Sequence, residues 1–226
     1  MPCWISRLRV VVGAGYREAE YAQFGLELRK RPSLMERGIE TLKKAWSGEP
    51  FDHEGRSVRI LPRPAQRPRP QIIMGGSSKA AAQRAARIAD GYSPVAPDLF
   101  ADYRQALAAL EKPAPEAPPP RGSYFFLHVT NNPVGDWKKI APHALHANNE
   151  YAKWLDGQPN PTFAHVSDAD ALLATGAYRL VTPAQCVELA RQDGALSFMP
   201  LIGGLDPEIA WQSLLLFERE VLPAIR

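Results

Sequence analysis

Short apolar runs that end in glycine recur along this chain, and most are followed by a stretch with helical spacing. Leu8-Arg9-Val10-Val11-Val12 runs into Gly13-Ala14-Gly15-Tyr16, and Gln71-Ile72-Ile73-Met74 runs into Gly75-Gly76-Ser77-Ser78. Each reads as a buried strand with a glycine-lined turn at its carboxyl end. Tyr124-Phe125-Phe126-Leu127-His128-Val129 predicts a third strand, Gly91-Tyr92-Ser93 a short weak one, and residues 196–202 a fifth, closed by Gly203-Gly204. Helical spacing links Met35, Ile39, Leu42 and Trp46 behind Ser33-Leu34-Met35-Glu36, which has capping-box spacing. Further helices are predicted over the alanine-rich 79–90, over 99–110 and over about 137–155. Thr182-Pro183-Ala184-Gln185 opens another with a cap, a first-position proline and a glutamine. The last begins at Asp206-Pro207-Glu208, carries Ile209, Leu214, Phe217 and Val221, and stops at Pro223. Residues 51–60, centred on Glu54-Gly55, read as a small hairpin.

Near-continuous apolar strands alternating with helices predict an α/β fold with a parallel sheet covered on both faces. The units are those of a TIM-type barrel, but a complete barrel needs about 250 residues and eight strands. The chain has 226 residues and about five such units. The expectation is therefore a single domain over 1–226, a partial barrel whose first three units are absent, with Met1 to Ile5 an abrupt start. Two proline-rich segments, 61–70 and 112–120, read as an extended connector and a surface loop within that domain.

Charge narrows the choice of partner. A net charge of +3, with basic residues scattered among acidic ones, supplies no basic stripe, so nucleic acid is not expected. Apolar runs of five to eight residues are far short of the roughly 20 that span a bilayer, and no secretory leader pattern is present. Cys3 and Cys186 are isolated thiols without motif spacing, which suits a reduced, cytoplasmic setting.

The residues that could carry chemistry lie mostly at strand ends. Gly13-Ala14-Gly15-Tyr16-Arg17-Glu18 starts like a dinucleotide fingerprint but places Glu18 where the third glycine belongs. Its glycines make either a tight turn or a close approach for a planar ligand. Gly75-Gly76-Ser77-Ser78 joins a strand to a helix, so backbone N–H groups and two hydroxyls converge at the positive helix end, which suits a phosphate. The alternative is a serine N-cap with glycines for clearance. No Walker lysine follows, and no nucleophile elbow is present. His128 lies near the carboxyl end of a strand, where barrel active sites collect, and reads either as a structural or as a reactive histidine. His143, His146 and Glu150 share a helical face but have no supporting ligand cluster. His53 and His165 carry no signal, and Asp168 and Asp170 read as loop carboxylates.

Several of these segments, taken in order, resemble the luciferase-like monooxygenases. The resemblance is carried by residues 7–18 with Phe24-Gly25, and by Leu61-Pro62-Arg63-Pro64 leading to 70–78. It continues in Ala89-Asp90-Gly91-Tyr92, in 201–207 and in 217–223. It implies a TIM-type barrel that binds reduced FMN or the related deazaflavin coenzyme, with Gly75, Gly76, Ser77 and Ser78 at the cofactor phosphate. Gly13, Gly15 and Tyr16 would then lie near the cofactor. In the oxygen-using branch, reduced flavin from a reductase serves oxidation of a small organic substrate; in the deazaflavin branch, hydride moves between coenzyme and substrate. Two other readings remain open. One is a non-catalytic remnant that needs a partner chain or a second copy to cover its sheet edges. The other is a phosphate- or nucleotide-binding α/β module of another kind.

Overall fold

The structure is a computed structural model, and it describes residues 8–117, 122, 124–156 and 163–225. Cys3 and the end of the second proline-rich segment lie outside these residues. The chain divides into two compact units, Met1–Pro118 and Pro119–Arg226, which are described separately.

In the first unit, β1 (Arg9–Val12) is followed by the short helix α1 (Glu18–Gln23) and by α2 (Arg31–Ser47). The predicted hairpin follows as β2 (Phe51–His53) and β3 (Arg56–Val58), and then come β4 (Gln71–Gly76), α3 (Lys79–Ile88), β5 (Gly91–Pro94) and α4 (Leu99–Ala109). The strand order β1-β4-β5 is parallel throughout. Register pairs Val12 with Met74, and Met74 with Tyr92. These three residues face α3 and α4, where Ala82, Ala85 and Ala86 meet Phe100, Tyr103 and Leu107. Alanines along α3 let its backbone approach the sheet closely, and the larger rings from α4 fill the remaining space. The opposite face is less covered: Val11 is 66% exposed, and its partner Ile73 is half-buried. The expectation of helices on both faces is therefore not met in this unit.

Helix α2 corrects a cap. It starts at Arg31, with Pro32 in its first turn, and Ser33 Oγ donates to Lys30 O at 2.9 Å instead of capping the helix. Proline's fixed φ, favourable in a first helical turn, outweighs the Ser-x-x-Glu pattern two residues later. Glu36 is used elsewhere: its carboxylate accepts from Arg84 and Arg87 of α3, each at 2.9 Å.

In the second unit, β6 (Phe126–Val129) leads into α5 (Pro133–Trp154), which Asn132 caps by accepting from the Gly135 amide. Then come α6 (Ala169–Ala174), β7 (Tyr178–Val181), α7 (Pro183–Asp193) and α8 (Pro207–Leu216). Strands β6 and β7 are parallel, with Phe126 opposite Tyr178 and His128 opposite Leu180. Alternation then sends Phe126, Tyr178 and Leu180 toward α5, with Trp137, Ile140 and Ala144. Leu127, Val129 and Val181 go to the other side, with Cys186, Leu189, Leu216 and Val221. Here both faces are covered, as predicted. Burial pushes the Cys186 thiol up to about 11, so it behaves as a small apolar side chain.

Two predictions change in this unit. The fifth strand is Tyr178–Val181, not 196–202, because only the former finds a ladder partner. Residues 196–202 are apolar enough for a strand, but a strand needs a neighbouring strand's ladder, and none is formed here among the described residues; the Ser197 amide donates instead to the Tyr124 hydroxyl. Asp168 is not a loop carboxylate: it caps α6, accepting from the Ala171 amide at 2.8 Å. The Thr182 capping box forms as predicted, with Gln185 closing it from the far side.

Candidate cofactor site

All three strands of the β1-β4-β5 sheet point the same way, so the loops that follow them leave from one edge of the sheet. Neighbouring pairing of β1 and β4 brings the 13–16 loop beside the 75–78 turn. A Cβ built on Gly75 would lie 3.6 Å from Val12 O, which shows how close the two strand ends are. These are the two segments the sequence singles out.

The 13–16 loop is held from below. Gly15 has φ of 70°, a left-handed conformation that favours glycine, and Arg31 of α2 donates to its carbonyl at 3.2 Å. The Tyr21 hydroxyl of α1 donates to the Ala14 carbonyl. Gly13 is exposed, with nothing within 4 Å of a Cβ built on it, and Tyr16 is half-buried. Gly13 thus leaves open space above a fixed backbone.

The 75–78 turn divides its residues between structure and exposure. A Cβ on Gly76 would sit 2.5 Å from Ala81 Cβ, so this glycine is needed for strand-to-helix clearance. Ser78 is the N-cap of α3, its Oγ accepting from the Ala81 amide at 3.3 Å. The serine N-cap and the glycine clearance expected from sequence are thus both present, in Ser78 and Gly76. Ser77 is exposed, and the Lys79 and Ala80 amides begin the helix, where no intrahelical acceptor exists. Amides, a hydroxyl and the positive end of α3 thus gather at the carboxyl edge of the sheet and can receive an oxyanion.

Sequence reasoning missed the residue that holds this turn. Tyr92, 2% exposed, donates its hydroxyl to Gly76 O at 3.0 Å. Burial, with Asp102 and Asp98 nearby, pushes Tyr92 up to about 12, so the phenol stays a donor over the working pH range. Its signal was the Ala89-Asp90-Gly91-Tyr92 run, in which the strand's alternation turns Tyr92 toward the helices.

A cleft of about 750 Å³ opens at the opposite, amino edge, lined by Arg9, Gln66, Arg67, Arg69 and Gln71. Part of that edge is structural. Asp90 binds Arg69 through two contacts of 2.6 and 2.9 Å and accepts the Ile72 amide at 2.8 Å, tying β4 to the start of β5.

In the second unit, His128 is 4% exposed near the carboxyl end of β6 and stacks on Phe126, with ring centroids 6.1 Å apart. Burial pulls its pKa down, against a smaller opposing pull from Asp136 on α5. Asp136 is in turn held by the Thr130 hydroxyl at 2.5 Å and by Lys139 at 3.1 Å. His128 is thus kept neutral in the fold. The unfolded chain takes up a proton near pH 6.5 while the buried ring resists, so this contribution to stability is lost as pH falls below that value. Thermal melts at pH 7 and pH 5 should show a larger loss for the wild type than for His128→Gln; equal losses would contradict this. His143, considered above as a metal ligand, has its Nδ1 2.9 Å from Gly203 O instead.

A parallel α/β sheet with two glycine-lined turns at its carboxyl edge, one leading into a capped helix, is the arrangement in which α/β proteins place ligands at the strand ends. The profile of the family described as luciferase-like monooxygenase matches residues 6–191, and the chain belongs to that family. It is 36% identical over 95 residues to the FMNH2-dependent dimethylsulfone monooxygenase of Pseudomonas putida, a match covering 38% of this chain and 26% of that enzyme. The match thus spans about a quarter of that relative's length.

Among solved structures, monooxygenase RslO1 from Streptomyces bottropensis superposes with a TM-score of 0.69 at 21% identity, over 97% of this chain and 69% of that one. An F420-dependent secondary alcohol dehydrogenase in complex with an F420-acetone adduct gives a TM-score of 0.58 at 16% identity, over 99% and 71%. These likenesses concern the fold, which is the α/β fold of luciferase-like proteins. No helix among the described residues is long and apolar enough to cross a membrane.

Proposed function

We propose that the chain carries the phosphate-holding portion of a flavin site and serves a flavin-dependent oxidoreductase of the monooxygenase type, acting on a small organic substrate. The observation that carries this reading is the 75–78 turn, a clamped, glycine-cleared turn with an exposed serine and free helix-start amides at the edge where the 13–16 loop also ends. In this reading Ser77, the Ser78 hydroxyl proton and the first amides of α3 bind the phosphate of FMN. Gly75 and Gly13 leave room for the cofactor, Gly76 keeps the turn seated, and Gly15 and Tyr16 shape the neighbouring wall. The bound flavin supplies electrons for oxidation of the substrate by O2. Parallel pairing of three strands within the first unit and of two within the second supports the reading of a partial barrel of about five β/α units.

FMN is favoured because the dimethylsulfone monooxygenase is FMNH2-dependent. The F420-dependent dehydrogenase, similar in fold, supports the deazaflavin as a second reading, with hydride transfer in place of oxygenation. His128 is the second unit's candidate reactive histidine, because it lies near the carboxyl end of β6, where barrel sites collect.

The test is a fluorescence-quenching titration with FMN. Ser77→Ala/Ser78→Ala should weaken binding by about ten-fold or more, as two hydroxyl contacts to a charged group are lost. Ser78 also caps α3, so Ser77→Ala alone isolates the ligand contact from helix stability. Unchanged FMN affinity in both variants would remove the phosphate assignment.

A further inference from the structure

The Gly76 carbonyl carries two hydrogen bonds from one side, one from the Tyr92 hydroxyl and one from the Val95 amide, each at 3.0 Å. Both donors belong to β5 or to the residue just past it, so this carbonyl points toward β5. In a planar trans peptide the carbonyl and the following N–H point in opposite directions. The two cis bonds among the described residues, at Leu61-Pro62 and Arg67-Pro68, lie elsewhere. The Ser77 N–H therefore points away from β5, toward the side of β4 on which β1 lies. Had β1 continued, that amide would have met a carbonyl of its next residues. Instead β1 ends at Val12, and no backbone acceptor for Ser77 N–H occurs among the described residues.

From this geometry we infer that Tyr92 is a positioning residue for the cofactor phosphate: by holding the Gly76 carbonyl inward, it aims the Ser77 amide into the space between the 75–78 turn and the 13–16 loop. The inference rests on the phosphate reading given above. It explains why a buried tyrosine, and not phenylalanine, stands at this position. The ring packs against Tyr103 at 5.4 Å between centroids, a contact phenylalanine would keep, whereas the hydroxyl has Gly76 O as its partner. The space around Gly76 agrees: a Cβ there would come within 3.3 Å of the Tyr92 hydroxyl, so the glycine also clears the path of this bond. Without the hydroxyl, one of the two restraints on the peptide is lost, and its plane can rotate at the cost of the Val95 bond alone.

The test compares FMN with riboflavin, which lacks the phosphate, on the full chain carrying Tyr92→Phe. The wild type should prefer FMN. In Tyr92→Phe the affinity for FMN should fall about five- to ten-fold, while that for riboflavin stays the same. A merely structural role would weaken both flavins equally. If Tyr92→Phe keeps the wild-type ratio of FMN to riboflavin affinity, the positioning role is overturned while the phosphate reading stands. If the wild type shows no preference for FMN, the phosphate reading fails and the inference falls with it. The Ser77 amide resonance of the wild type supplies a readout that needs no variant. It should move downfield with FMN and not with riboflavin, and an amide indifferent to FMN would overturn the inference.

Discussion

Replacing Gly203 with alanine should lower the stability of the folded chain by about 3 kcal/mol, combining overpacking with a left-handed backbone. The cause lies in the second unit, where the 203–204 turn presses on α5. A Cβ on Gly203 would fall 2.3 Å from the backbone oxygen of His143, and a helix backbone cannot step aside as a flexible side-chain tip can. Gly203 also has φ of 51°, a conformation unfavourable for alanine. The turn is pinned on both sides, since Ile202 and Leu205 are 3% and 2% exposed within the core that includes Ile140 and Ala144. Gly204 is the control: its φ is 75°, but a Cβ placed on it would meet nothing within 4 Å. Gly204→Ala should therefore cost only the backbone part, about 1 kcal/mol. Urea melts of the two variants would measure this, and equal losses would contradict the account.

The second large effect separates two adjacent glycines. Gly76→Ala should destabilise the chain by about 1–3 kcal/mol, because the new methyl would sit 2.5 Å from Ala81 Cβ in the rigid first turn of α3. It should also weaken FMN binding, since relief of the clash must move either the turn or the helix start that supply the phosphate contacts. Gly75→Ala is different. Its Cβ would meet only Val12 O at 3.6 Å and Ser93 O at 3.9 Å, both ordinary contacts. The Gly75 variant should fold with near wild-type stability. A loss of flavin affinity there would then report occupation of space above the strand end. If Gly75→Ala proved the less stable of the two, the division of roles within the turn would be wrong.

Much of this was legible in the sequence because the local signals were strong. The glycines after Val12 and Met74 marked both strand ends, and Thr182 with Gln185 announced a cap that forms as written. What was not legible depended on partners far along the chain. Residues 196–202 carry the apolar character of a strand, but strand formation is decided by a neighbour, and Tyr178–Val181 obtained β6 instead. Asp168 looked like one loop carboxylate among others until the six-residue helix it caps was visible. Within the candidate site, sequence could name the serines and glycines of 75–78 but could not divide clearance from capping from exposure. That division depends on Ala81 and Tyr92, whose distances to Gly76 no local pattern encodes.

The central claim is that the 75–78 turn holds a flavin phosphate. Its most direct test is the ratio of FMN to riboflavin affinity in the unmodified chain, measured by flavin fluorescence quenching at moderate salt. The account predicts saturable FMN binding at least about ten-fold tighter than riboflavin binding, the difference being the phosphate's charge-assisted hydrogen bonds. Equal affinities, or no saturable FMN binding by a folded chain, would contradict it.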